Sequence, residues 1–171
     1  MVGEVSRRLL AVVEIEHSAH SWPPDVFVHD ERDGSGNSML NAFAHPCGGS
    51  LDSGMPIDCA APEGQTKPHV HVTKELLDEL IQGRPDRMAF VMGHEIGHIT
   101  LGHTTDFAHR WKATSEVSLY AFGRQQEIGS DLVGAEYGLA AGYEFEGMMG
   151  ALYRFIELDM SYSSFEGLGA S

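Results

Sequence analysis

The pentapeptide His94-Glu95-Ile96-Gly97-His98 sets two imidazoles and a carboxylate within one short stretch, and on a helix that spacing can build a zinc-hydrolase site. Residues four apart share a helical face with Cβ atoms about 5–6 Å apart, so both rings can reach one ion at roughly 2.0–2.1 Å. Glu95 is rotated about 100° from His94 by the 3.6-residue period and cannot join them as a ligand from the same turn. It stands beside the ion, where a carboxylate can hold the water that Zn²⁺ makes acidic, which is the position of a general base.

With 10 histidines in the chain, the pentapeptide could also arise on an ordinary surface helix. Its flanks argue against that. Met88-Ala89-Phe90-Val91-Met92 runs into the motif, and Ala89, Met92, Gly93, Ile96 and Ile99 keep helical spacing. A helix patterned in this way is mostly buried, and a buried His-Glu-His cluster needs partners that a metal would supply.

A catalytic zinc site takes three protein ligands and keeps one position open. The extended pattern with a third His six residues after the second fails, because Thr104 stands at that position and Leu101 stands where the pattern has Gly. His103 is one residue short. A third ligand from another helix is therefore expected, and the candidate is Glu127. Asp131, four residues on, shares its face and can accept a hydrogen bond from the outer nitrogen of a ligand His, fixing tautomer and ring direction. Glu116 is the competitor, nearer in sequence to His98 but without an acid four residues on. The plain alternative is a solvated helix with Glu127, Asp131 and Glu136 facing water. Against it stand Gly129, Gly134, Ala135, Gly138, Ala141 and Gly142. Each Gly costs about 1 kcal/mol relative to Ala in a helix interior, so another helix is expected to approach closely there.

The elements that must position these groups are legible in outline. Val5, Leu9, Val12, Val13 and Glu16 suit an amphipathic helix over residues 2–17. Residues 25–30 read as a strand, followed by a turn at 33–37 and a second strand at 38–44, a candidate hairpin. Residues 45–67 read as a long irregular loop. His69 to Val72 alternates as a strand, with His69 and His71 as the polar side of a half-buried face. Thr73 then caps a helix through Leu76, Leu77, Leu80 and Ile81 to Gly83. Pro85-Asp86 opens the motif helix, and Gly102-His103 closes it. A further helix is expected from near Ser115 to Gly142, with Gly123 as a possible break, and a last one over residues 145–159 with Met148, Met149, Leu152, Phe155 and Ile156 on its apolar side. The class is α+β: a mainly helical domain with a small sheet before the motif helix.

The chain has 171 residues, a size that suits one domain over 1–171 with a core of its own. A formal charge of −14 argues against nucleic acid or an anionic membrane as partner. No stretch approaches the roughly 20 apolar residues of a membrane helix, and the run from Leu9 to Val13 is too short for a secretory signal. A soluble protein is expected, cytoplasmic if the chain is complete and periplasmic or secreted if a leader has been removed. Cys47 and Cys59 could close a disulfide or stay as thiols, and Cys47 could also reach the zinc as an inhibitory ligand.

Taken together, Asn41-Ala42-Phe43-Ala44, His94-Glu95-Ile96-Gly97-His98 with His103, Glu127 with Asp131, and Ala141-Gly142-Tyr143 resemble the gluzincin metallopeptidases that include HtpX-like proteases and CAAX prenyl endopeptidases, over roughly residues 38–158. The resemblance implies a zincin-like catalytic domain in which His94, His98 and Glu127 hold one Zn²⁺, Glu95 is the base and Asp131 orients a ligand. It also implies that Asn41, Ala42, Phe43 and Ala44 form an edge strand that receives the backbone of a peptide or protein substrate. The chain departs from that family in lacking membrane helices, in carrying Cys47 where Gly commonly follows the Pro, and in ending before a downstream segment from which some relatives supply a basic group. His103, His109 and Tyr143 could substitute for that group, although the plainer reading of each is a structural one.

The function expected is zinc-dependent endopeptidase activity, with Glu95 drawing a proton from the zinc-activated water and passing it to the leaving amine. The alternatives are a zinc-stabilised peptide-binding module with little or no turnover, and a latent protease blocked by its own tail, residues 161–167. Ligand type alone would also admit Co²⁺, Ni²⁺ or Cu²⁺.

Overall fold

Val70 and Val72 alternate with two histidines in the last of the predicted strands, and the chain places that strand where both of its edges can be used. The computed structural model describes residues 1–13, 23–30, 32, 36, 38, 40–45, 67–103 and 116–166. Its sheet comprises β1 (Asp25–His29), β2 (Ala42–His45) and β3 (His69–Thr73) in the order β1-β3-β2, with β1 parallel and β2 antiparallel to β3. The hairpin expected of the first two strands is thus opened by β3, and an isolated antiparallel bridge joins Arg32 and Ser38. The second strand begins at Ala42 rather than residue 38.

Being central, β3 is buried along its whole length, not half-buried as its alternation suggests. Val70 and Val72 pack into the core. On the opposite face His71 is sandwiched by Phe27 and Phe43, with ring centroids 5.2 and 4.7 Å away. Aromatic rings have thus taken the place of water over the polar side.

Thr73 caps the next element as predicted, its Oγ1 accepting the Leu76 N–H at 3.3 Å. The same hydroxyl binds the start of β2, accepting the Asn41 N–H at 3.1 Å. The element it caps is π-helical over Leu76–Ile81, and the wider turn brings Leu76, Leu80 and Ile81 to the core together.

Among the described residues, four α-helices accompany the sheet: α1 (Val2–Leu10), α2 (Pro85–Thr100), α3 (Glu116–Ala140) and α4 (Phe145–Glu166). α1 stops short of its predicted end, because the chain turns at Ala11 and Val12 to deliver Val13 to the same core as Val5 and Leu9. α2 carries the motif and runs through the middle, touching the sheet and the other three helices. Pro85 opens it and Gly102, at φ 74°, lets the chain leave it. α3 passes Gly123 unbroken. α4 continues past its predicted end, as no Gly or Pro lies between residues 159 and 166. Met148 and Ala151 are its buried side, whereas Leu152, Phe155 and Ile156, expected with Met148 on its apolar side, are exposed.

The crossing of α2 and α3 is backbone against backbone. A Cβ on Gly134 would lie 2.5 Å from the His94 nitrogen, and one on Gly93 would lie 2.5 Å from the Gly134 carbonyl oxygen. This is the close approach anticipated from the small residues of α3. Cys47, Cys59 and His109 fall outside the described residues, and none of the described helices is long and apolar enough to cross a membrane.

Candidate metal centre

The glycine crossing brings two turns of α2 within side-chain reach of α3, and the potential ligands meet there. His94 Nε2 lies 3.2 Å from Glu127 Oε2, His98 Nε2 lies 3.4 Å from Glu127 Oε1, and the two Nε2 atoms are 3.0 Å apart. Among the described residues these three form the one group of at least three His, Cys, Asp or Glu side chains able to converge on a metal ion. The separations suit such an ion. Ligands about 2.0–2.1 Å from a tetrahedral zinc stand roughly 3.3 Å from one another, and nitrogen plus carboxylate is a donor set zinc accepts.

Asp131, one helical turn beyond Glu127, has its Oδ1 2.8 Å from His94 Nδ1. A proton held on Nδ1 by this carboxylate leaves Nε2 facing the centre. Burial alone would discourage a charge on His94, but hydrogen bonds to Asp131 and Glu127 outweigh it and lift the imidazole to about 10. The same contacts with His94 and His98 hold the Glu127 carboxyl well below the usual range. In the metal-free protein, a proton therefore occupies ground that a cation would contest.

Glu95 points into a different environment. Its side chain is buried, and burial pushes its carboxyl up, countered in part by His94 and His98. It accepts a hydrogen bond from the backbone N–H of Ala44 in β2. The sheet and the motif helix are thus joined at this carboxylate. Among the described residues, β2 is the outer strand on its side of the sheet. Leu40, Asn41 and Ala42 lead into a cleft of about 290 Å³ that also reaches His94, Glu95, Glu127 and Asp131, while Leu76, Leu80, Phe90, Leu152 and Phe155 supply an apolar wall. Phe43 faces away from this cleft, against His71.

Two of the substitutes suggested for a basic helper, His103 and Tyr143, do not reach this space. His103 Nδ1 lies 3.1 Å from His98 Nδ1, on the side of the ring opposite the converging Nε2 atoms. Tyr143 is buried beneath the Arg8 guanidinium, 4.1 Å from its ring centroid. Two features escaped sequence reasoning. Leu152 and Phe155, expected only on the apolar side of α4, line the cleft, because helical periodicity cannot tell a core face from a cleft face, and the His98–His103 contact depends on the turn after α2.

No curated protein matches the chain. The profile of Peptidase family M48 matches residues 26–111 and stops before Glu127 and Asp131, whose placement is known from the geometry above. Because the match takes in β1 from Val26 on, β2, β3 and the whole helix bearing Glu95 and both imidazoles, half of the chain, the chain belongs to Peptidase family M48, a family of peptidases.

Proposed function

We propose that the protein is a zinc-dependent endopeptidase acting on extended peptide segments, a reading carried by the convergence of His94, His98 and Glu127 beside the buried Glu95. One Zn²⁺ held by these three residues would supply Lewis acidity, polarising the scissile carbonyl and lowering the pKa of a water. Glu95 is the general base. Its raised proton affinity suits it to take a proton from the attacking water and return it to the leaving amine. The Ala44 N–H steadies that carboxylate, and Asp131 holds the His94 ring in its tautomer.

The substrate backbone extends along β2. In antiparallel pairing alternate residues turn their backbone groups outward; Asn41 O takes the Thr73 N–H, so Ala42 and Ala44 face the outer edge. An added strand there would carry its carbonyls past the three ligands. The apolar wall of the cleft favours a large apolar side chain next to the cleaved bond, and the acidic character of Glu127 and Asp131 disfavours an acidic one.

The test is hydrolysis of a quenched peptide library by the zinc-loaded protein and its Glu95→Gln variant. The parent cuts, and the variant keeps stoichiometric zinc but loses turnover by at least about 100-fold, in line with the loss of a general base. Equal rates would remove Glu95 from its role, and zinc with bound peptide but no product from the parent would make the chain a binding module.

A further inference from the structure

We propose that His103 is a positioning residue for His98, performing for the second imidazole what Asp131 performs for the first; the inference rests on the metal-centre reading above. The two imidazoles of the motif have unlike outer partners. His94 Nδ1 meets a carboxylate, Asp131 Oδ1, at 2.8 Å, whereas His98 Nδ1 meets another imidazole nitrogen, His103 Nδ1, at 3.1 Å. The His98 and His103 rings stand edge to face, with centroids 5.2 Å apart and planes at 68°.

Proton placement follows from the site's own geometry. His98 Nε2 points at His94 Nε2 and Glu127 Oε1, so it is the nitrogen that must offer a lone pair to a cation. A neutral imidazole that does so carries its proton on Nδ1. That proton needs an acceptor, and two Nδ1 atoms 3.1 Å apart can share one hydrogen bond only if His103 Nδ1 is bare and its own proton sits on Nε2. The opposite arrangement, with His103 Nδ1–H donating, would put the His98 proton on Nε2 and turn it against the ion. The tautomer of His103 therefore selects the tautomer of His98.

Two structural devices hold His103 in place. Gly102, at φ 74°, turns the chain back at the end of α2 so that His103, five residues after His98, folds beneath that ring. Ser130 of α3, fully buried, sets its Oγ 3.3 Å from His103 Nδ1 and so confines that edge of the ring. Ser130 lies where α3 meets Gly97, so the ring is steadied by the helix that also supplies Glu127.

The experiment measures zinc affinity of the full chain by competition with a chromophoric chelator, together with melting of the same proteins in EDTA and the visible spectrum of the Co²⁺-loaded forms. His103→Ala weakens zinc by about 10–100-fold, as loss of an outer partner does, and alters the Co²⁺ absorption. His103→Asn, whose side-chain oxygen can accept the His98 Nδ1–H, recovers part of the loss. A His103→Ala protein that melts as a folded chain and binds zinc like the parent overturns the proposal. Equal losses in the Ala and Asn variants overturn the acceptor role as well. Failure of the underlying reading looks different, since then His94→Ala would leave zinc affinity of the chain unchanged.

Discussion

Replacing Gly134 by Ala places a methyl group where there is no room for one. The new Cβ would lie 2.5 Å from the His94 nitrogen and 2.6 Å from the Gly93 carbonyl carbon, against an ordinary contact of about 3.4 Å. Both obstacles are backbone atoms of α2, so no side-chain rotation relieves the overlap and the two helices must separate by nearly an ångström. Overpacking of this kind costs typically 1–3 kcal/mol, while Gly→Ala in a helix interior returns about 1 kcal/mol of propensity. The net expected loss is about 0–2 kcal/mol, or a fall in Tm of up to about 8 °C for a chain of this size. Metal affinity suffers as well, because Glu127 rides on α3 and its oxygens move away from His94 and His98, where ligand distances tolerate only about 0.2 Å. The control is Gly150→Ala in α4. Its Cβ would meet the Arg87 side chain at 3.4 Å, an ordinary contact, so the propensity gain stands alone and Tm rises. Thermal melts in EDTA and zinc titrations with a competing chelator read both effects. If Gly134→Ala melted as high as Gly150→Ala and bound zinc like the parent, the close helix crossing would not be what sets the ligand spacing.

In the metal-free protein, His94 is raised from 6.5 to about 10, so its contribution to stability is complete below about pH 6.5 and is lost as the pH rises through 10. Glu95, raised by burial, acts in the same direction from its ordinary value upward. Melts in EDTA should therefore show a lower Tm at pH 9 than at pH 6, and excess zinc should close the gap by replacing the proton; a Tm independent of pH in EDTA would contradict the electrostatics described. Phe155→Asp, at a residue 52% exposed, should leave the fold intact while raising KM for peptides with a large apolar residue by about tenfold, near 1.4 kcal/mol, with kcat little changed. An unchanged KM would remove Phe155 from the substrate's path.

The candidate site of this chain was legible from local spacing. His94, Glu95 and His98 lie on one helix, and the helical period alone decides which of them can share an ion and which stands aside. Glu127 and Asp131, again one turn apart, were readable as a pair for the same reason, and the small residues of α3 announced a close neighbour. The capping role of Thr73 is likewise a local matter. Strand order was not, because hydrogen-bond partners in a sheet are chosen by competition among all the strands; the short strands at 25 and 42 pair with β3, not with each other. Nor could periodicity show that Leu152 and Phe155 face a cleft, since a helix has one apolar stripe whether it meets a core or a substrate. The outer partner of His98 came only with the turn at Gly102 and the approach of Ser130, contacts that require α2 and α3 to be already packed. What a helix's own pitch governs could be read in one dimension; what depends on which surfaces meet was decided by the fold.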